Sequence, residues 1–300
     1  MIILMDMPLS TWVERRFHQN RTHLVFKANQ RLDKYRIERK IAEGGFAAVY
    51  QAFDTLEGVR VALKIPHPHL VNRHVLDVFR REVRLAATLD HPNILPLKNA
   101  SFIDGHLVVV FALGEKTLAD RLRSRLALET VLDYTEQMLE GVAYAHDHWI
   151  VHCDIKPENL ILFPDNRLRL TDFGIARVVL KTIKASGSGT VGYIAPEQAV
   201  GRPLFQSDVF SMGLITYRML TGCLPEWPYR WPTAGIERLR RKAHPDLIQW
   251  LRKAIEPHPR DRFGDARQML NALQRVKPRA LRFARARRAA AASHTRRLRA

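Results

Sequence analysis

One change of pattern constrains this chain of 300 residues more than any other feature: around Gly114 the apolar residues stop alternating and begin to recur at helical spacing. Upstream, "YRIERKIAEGG" offers Tyr35, Ile37 and Ile41 as a partly alternating apolar face, and "AAVYQAFD" and "VRVALKI" follow, with the turn "TLEG" between them. These three form an antiparallel meander, and "LKNASFI" and "HLVVVFAL" add two strands joined by the turn pair Asp104-Gly105. A single helix interrupts, because "VLDVFRREVRLAATL" sets Val75, Val78, Phe79, Glu82, Val83, Leu85, Ala86 and Leu89 at helical spacing. Downstream, "TLADRLRS", "LETVLDYTEQMLEGVAYAHDHW", "DVFSMGLITYRMLTG", "PDLIQWLRKAI" and "DARQMLNALQRV" all read as helices. The expected class is α+β: a small antiparallel sheet lobe with one main helix, then a larger helical lobe. Two such bodies leave a cleft, a preferred place for a small molecule.

Composition narrows the setting. Aliphatic and aromatic content is ordinary for a globular protein, and no repeat of fixed period points to a solenoid or propeller. Cys153 and Cys223 are the only cysteines and lack metal-ligand spacing, which fits a reducing, cytoplasmic compartment. No apolar run reaches the roughly 18 residues of a membrane span, and the first residues are too short and wrongly ordered for a signal peptide, so no transmembrane segment is expected. Residues 1–32, with Trp12, Phe17 and Phe26, show no clean period and are set apart as an N-terminal extension of unknown role. The formal net charge is +18, and from Lys277 to Ala300 the chain carries nine basic residues and no acid. Residues 277–300 are therefore read as a basic tail, either merely solvated or attracted to an anionic partner: nucleic acid, acidic lipid or acidic protein.

The chemistry sits in "VHCDIKPENLIL", a charged loop between apolar flanks. Pro157 denies a backbone donor, and Asp154, Lys156, Glu158 and Asn159 suit a packed strand poorly. The following "RLRLTDFGIA" reads as a short strand that delivers a second carboxylate, Asp172, to a Phe-Gly turn. Two acids and an amide can then converge on a metal. Earlier in the chain, "IAEGGFAAV" contains Gly44 and Gly45, whose lack of a Cβ lets backbone amides approach polyanionic oxygens. Lys64 of "VALKI" lies in an otherwise apolar strand, where an ammonium requires a partner.

Taken in chain order these segments, with "GTVGYIAPEQ", "SDVFSMG" and "HPRDRF", make residues 33–276 resemble the eukaryotic-type protein kinase family. The resemblance implies a kinase domain with an N-lobe at 33–112 and a C-lobe at 113–276, using ATP and Mg2+. It implies that Ala42, Glu43, Gly44, Gly45, Phe46 and Ala47 cover the nucleotide, that Val49 and Ala62 close over the adenine, and that Lys64 holds the α- and β-phosphates and pairs with Glu82. Asp154 would orient the attacking hydroxyl, Lys156 would lie beside the transferred phosphate, and Asn159 and Asp172 would hold magnesium. It further implies an ion pair of Glu197 with Arg262, an Asp208 that anchors the catalytic loop through backbone amides, and a hydrophobic column of His152, Phe173, Ala86 and Leu97. "DIKPEN" and Thr190 match the serine/threonine form, so the expected substrates are Ser and Thr hydroxyls of proteins, and the compact form resembles bacterial members.

Three departures qualify the resemblance. Ala42 and Ala47 stand where the first and third glycines of the phosphate loop are expected, which implies a stiffer or slightly displaced lid and weaker, not abolished, nucleotide binding. Cys153 stands where regulated relatives have Arg, so activity is expected not to depend strictly on phosphorylation of Thr182, Ser186 or Ser188. A pseudokinase acting as a binding or scaffold module is the alternative, opposed by the survival of Lys64, Asp154 and Asp172. A small-molecule phosphotransferase is a third reading, opposed by "GTVGYIAPEQ".

Overall fold

The computed structural model of the chain describes residues 26–68, 80, 83–173 and 191–297. The chain forms two compact units: the first takes the residues up to Thr88 and Pro96–Leu113, the second Leu89–Leu95 and everything from Gly114. The short segment "LDHPNIL" thus belongs with the helical unit.

The first unit is a six-stranded antiparallel sheet: β1 (Arg31–Leu32), β2 (Tyr35–Glu43), β3 (Ala47–Asp54), β4 (Val59–Pro66), β5 (Leu97–Ile103) and β6 (His106–Ala112), in the order β1-β2-β3-β4-β6-β5. Alternation decides its two faces. Tyr50, Ala52, Val61, Leu63, Ile65, Val108 and Val110 fill one core, together with Tyr35 and Ile37. On the opposite face Leu107 and Val109 gather Phe46, Val83, Leu97 and Phe111. Phe26, unassigned by its sequence context, belongs to the first core, with its ring edge-on to Tyr50 at 5.4 Å and to His106 at 5.5 Å. The turns have evident local causes. Asp54 accepts the amides of Leu56 and Glu57, each at 3.0 Å, to close β3 onto β4, and Asp104 and Gly105 take the positive φ values, 49° and 80°, of a tight two-residue hairpin. Of the expected helix, residues 80 and 83–88 are described and helical; Glu82 lies outside the described residues.

The second unit holds α1 (Leu118–Arg121), α2 (Leu128–Asp147), α3 (Pro196–Ala199), α4 (Phe205–Thr221), α5 (Ile236–Lys242), α6 (Pro245–Ala254) and α7 (Ala266–Arg297), with a three-stranded sheet of β7 (Lys116–Thr117), β8 (Leu160–Phe163) and β9 (Arg167–Leu170). Nearly all of α4 is buried, which makes it the axis of this unit. Helix α7 crosses position 277, where composition alone sets the start of a separate tail. The reason is its apolar side: Leu273, Ala280 and Ala284 are buried and Leu281 packs on the core. Several of its cations are committed to acids, Lys277 Nζ to Asp133 (2.7 Å) and Glu136 (2.6 Å), Arg279 to Asp246 (2.9 Å), and Arg288 to Glu129. Burial works to lower the Lys277 ammonium, and those two carboxylates more than reverse it, leaving it above its ordinary value. Among the described residues no helix is long and apolar enough to cross a membrane.

Gly141 marks the tightest approach around α2, since a Cβ there would lie 2.9 Å from the carbonyl oxygen of Asn93. That carbonyl is pinned by the Leu170 amide at 2.8 Å, and the Asn93 side chain by Gln137 and the Leu168 carbonyl. Alanine would gain up to about 1 kcal/mol of helix propensity and lose about 1–3 kcal/mol to overpacking. Gly141→Ala is therefore expected to lower stability by about 1 kcal/mol net, read as a shifted denaturant midpoint at unchanged slope; a raised midpoint would mean that the carbonyl gives way freely.

Candidate active site

The loop Val151–Asn159 is fixed from below by one carboxylate. Asp208, buried on the first turn of α4, accepts the His152 amide at 2.7 Å and the Cys153 amide at 2.9 Å. Its third donor is His146 Nε2 at 3.0 Å. Because His146 Nδ1 accepts the Ala266 amide at 3.1 Å, the ring proton must lie on Nε2, so this imidazole donates to Asp208 in its neutral form. The same reasoning settles His152: Nδ1 accepts the Asp154 amide (3.1 Å), leaving Nε2–H to donate to the Thr171 carbonyl (2.9 Å). His152 thereby ties the loop to the residue before Asp172, and its ring lies 4.6 Å from that of Phe173.

Two residues of this region have positive φ. Cys153 and Asp172 both adopt left-handed φ, 67° in each case, a conformation that costs a non-glycine residue about 1–3 kcal/mol and persists only where its surroundings enforce it. At Cys153 they do: Asp208 takes the amide, and Gln198 Nε2, from α3, donates to the carbonyl at 2.5 Å. Sequence reasoning missed Gln198 and His146; the only available signal for the first is its place directly after Glu197.

Upon this support sits the polar cluster. Lys156 Nζ lies 2.8 and 3.1 Å from the two carboxylate oxygens of Asp154. Asn159 Nδ2 donates to the Asp154 carbonyl and to its Oδ2, both at 2.9 Å. The Asn159 carbonyl accepts the Thr171 amide at 3.0 Å, which sets Asp172 next in chain to the same corner. Asn159 Oδ1 accepts no hydrogen bond from the described residues, and it and the Asp172 carboxylate are both hard oxygen donors of the kind a magnesium ion requires. The structure therefore brings Asp154, Lys156 and Asn159 together and ties to them the backbone of Thr171, the residue before Asp172.

The remaining expected site residues lie in the first unit. Val49 is paired directly with Lys64, Lys64 with Val109 and Ala62 with Phe111, so Val49, Ala62 and Lys64 share the face opposite the larger core. Ala42 is opposite Val49 and Ala47 opposite Pro66. Between them the Gly44 amide donates to the Ala47 carbonyl at 2.9 Å, closing a tight hairpin over Glu43, Gly44, Gly45 and Phe46. The amides of Gly45 and Phe46 make no hydrogen bond to the described residues, and a Cβ on Gly45 would meet nothing within 4 Å. The expected partner of Lys64, Glu82, lies outside the described residues, as do Thr182, Ser186, Ser188 and Thr190. Ala86 and Leu97 belong to the first unit, His152 and Phe173 to the second.

The expected ion pair is present, and it is saturated. Arg262 Nη1 and Nη2 reach the two oxygens of Glu197 at 2.8 and 3.1 Å, and its other hydrogens go to the carbonyls of Glu256 (2.6 Å), Gln206 (2.9 Å) and Pro257 (2.8 Å). All five guanidinium N–H groups are thus used, and the plane lies 4.5 Å from the Phe210 ring. Burial pushes the Arg262 guanidinium below its ordinary value against the opposing effect of Glu197. Removing one partner would strand the other inside the unit. Arg262→Met is expected to cost about 3–5 kcal/mol, measured by denaturant unfolding, whereas a loss under 1 kcal/mol would show that water replaces the bridge.

The comparisons with known proteins agree with one another. A probable serine/threonine-protein kinase of Clostridium acetobutylicum is 30% identical over 264 residues, covering 82% of this chain and 40% of that protein. PknA of Mycobacterium tuberculosis is 35% identical over 210 residues, covering 64% of this chain and 48% of PknA. The chain thus spans less than half the length of these curated relatives. Among solved structures, the kinase domain of Mycobacterium tuberculosis PknI matches with a TM-score of 0.65 at 24% identity, over 85% of this chain and all of that domain, which places the fold. Residues 35–280 match the protein kinase domain family, and with that span this chain is a member of it, of the serine/threonine type found in bacteria.

Proposed function

We propose that the chain is a cytoplasmic serine/threonine protein kinase that transfers the γ-phosphoryl group of ATP to Ser and Thr hydroxyls of protein substrates. The observation that carries this reading is the Asp154 carboxylate, held by Lys156 and Asn159 on a loop anchored by buried hydrogen bonds from its own amides to Asp208. In this reading Asp154 accepts a hydrogen bond from the substrate hydroxyl and orients its oxygen for attack. Lys156 places a cation beside the arriving phosphoryl group. Lys64 holds the α- and β-phosphates, and the amides of Gly45 and Phe46 supply donors to the phosphate oxygens. Magnesium, held by Asn159 and Asp172, would supply positive charge to the spreading negative charge of the phosphoryl group. Two free cysteines support a reducing compartment.

For an anionic partner, whether nucleic acid, acidic lipid or acidic protein, the basic C-terminal stretch offers what its ion pairs leave over. Arg282, Arg285 and Arg287 are exposed along α7 and support weak, salt-sensitive attraction.

Asp154→Asn and Lys64→Met are each expected to reduce phosphorylation of a generic basic protein by a hundredfold or more, about 3 kcal/mol in the barrier, with unchanged unfolding midpoints. Activity above a few per cent of the parent in both variants would overturn the assigned roles. A second expectation comes from Cys153, which is buried with Sγ 3.7 Å from the Val151 carbonyl and offers no cation for a loop phosphate to offset. Replacing Thr182, Ser186 and Ser188 together with Ala should leave initial rates within tenfold of the parent; a hundredfold loss would make loop phosphorylation the switch.

A further inference from the structure

The end of α4, helix α5 and the loop after α1 enclose a pocket of about 270 Å³ that contains none of the residues discussed above as catalytic. Arg123, Arg125, Arg218, Arg238, Arg241 and Lys242 line it, and no acidic side chain does. Part of this charge has a structural reason. Helix α4 ends at Gly222 in the left-handed conformation, and its last carbonyls accept Arg238 Nη1 (Thr221, 3.1 Å) and Lys242 Nζ (Leu220, 3.3 Å), so two cations sit at the negative end of the helix dipole. Arg123 lies 3.4 Å from Asp120, and Arg218 donates to the Tyr193 hydroxyl. Arg125 and Arg241 have neither a hydrogen bond nor an ion pair among the described residues, and both are exposed.

Capping one helix end therefore accounts for two of the six cations. Asp120 and the Tyr193 hydroxyl engage Arg123 and Arg218, so it is Arg125 and Arg241 whose placement in this concavity adds repulsion with no side-chain partner among the described residues to offset it. We propose that this pocket binds the phosphate monoester of a peptide phosphorylated on Ser or Thr. A phosphomonoester carries about −1.5 to −2 charges and three acceptor oxygens, against one charge and two oxygens for a carboxylate, and guanidinium forks match it bidentately. A peptide fits better than a free ion because Leu122, Leu126 and Met219 also line the pocket and give apolar walls that only flanking residues can use. The volume is close to the lower bound, about 300 Å³, of typical ligand sites. Docking of an already phosphorylated substrate or product is what this would serve, and that significance rests on the kinase reading, whereas the binding itself does not.

The test is fluorescence anisotropy of the full chain with a short dye-labelled peptide in which one phosphoserine is flanked by leucines. The same peptide with unmodified Ser, or with two Glu in place of the phosphoserine, is run beside it, and inorganic phosphate is used as competitor. Expected are tightest binding of the phosphopeptide, displacement by phosphate, and at least tenfold weaker binding to the Arg125→Gln/Arg241→Gln double variant, whose exposed substitutions should leave the thermal midpoint unchanged. Phosphorylation of an unmodified basic protein by that variant should match the parent, and Asp154→Asn should bind the phosphopeptide normally, so failure of the pocket and failure of the kinase reading are separate results. Equal binding by the double variant would put the peptide elsewhere on the basic surface. Equal binding of the Glu-Glu peptide would make this an acidic-peptide site, and binding of phosphate without any of the peptides a free-anion site. Each of these three results overturns the proposal.

Discussion

The Asp208 carboxylate is the point on which the catalytic loop depends. A buried charge is tolerated only when hydrogen bonds replace its lost hydration, and here three donors converge: the amides of His152 and Cys153 and the ring of His146. Through His146 Nδ1 the network continues to the Ala266 amide at the start of α7. The end of α2 and the loop that follows it are thus tied to α4 by one side chain, and through His146 to the start of α7. Such a network is strong while fully satisfied and expensive once any member is missing. What it delivers is the position of Asp154, two residues beyond His152, on a backbone that has little freedom left.

A second buried charge plays a parallel role under α3. Arg262 uses every donor it has, and its carboxylate partner Glu197 also accepts the Ser207 hydroxyl at 2.6 Å. Gln198, next along α3, then reaches the Cys153 carbonyl. The loop is thus held by its amides from α4 and by a carbonyl from α3, and α3 is itself locked by the ion pair. Stability and chemistry are coupled through that contact: loosening Arg262 would release Gln198, and with it one of the groups that enforce the left-handed Cys153. Arg262→Met tests the stability half of this coupling directly.

Much of this was legible in the sequence. Strand alternation predicts β2 to β6, with Asp104-Gly105 as a turn, and the segment that composition marks as a charged loop is one, with Asp154, Lys156 and Asn159 in hydrogen-bond contact. Three features were hidden for physical reasons. Lys277-Pro278 and the run of arginines after it look like the edge of a solvated tail, yet Pro278 is carried within α7 while Ala280 and Ala284 bury beyond it. Small residues make a weak periodic signal, although they permit close packing. Gln198 acts through a hydrogen bond to a group 45 residues away, and His146 through hydrogen bonds to groups 62 and 120 residues away, which no local pattern encodes. The basic pocket draws its cations from the loop after α1, α4 and α5, so it exists only once the chain has folded.

At the hairpin between β2 and β3 a departure from the family pattern is absorbed. Neither Ala42 nor Ala47 takes a positive φ, and both lie in paired strands, so the backbone at these positions does not demand glycine. Gly44 and Gly45, at the tip, keep the space that an approaching phosphate needs. What the alanines change is the surface. Pairing of Ala42 with Val49, and of Val49 with Lys64, puts the Ala42 methyl on the Lys64 face, and the pleat puts Ala47 there as well. On the proposed reading, the same substitution that stiffens the lid also extends the apolar wall formed by Val49 and Ala62. A purine ring gains from that wall while the phosphates lose some freedom of the backbone above them, so any weakening of nucleotide binding should fall on the phosphate end of the molecule rather than on the base.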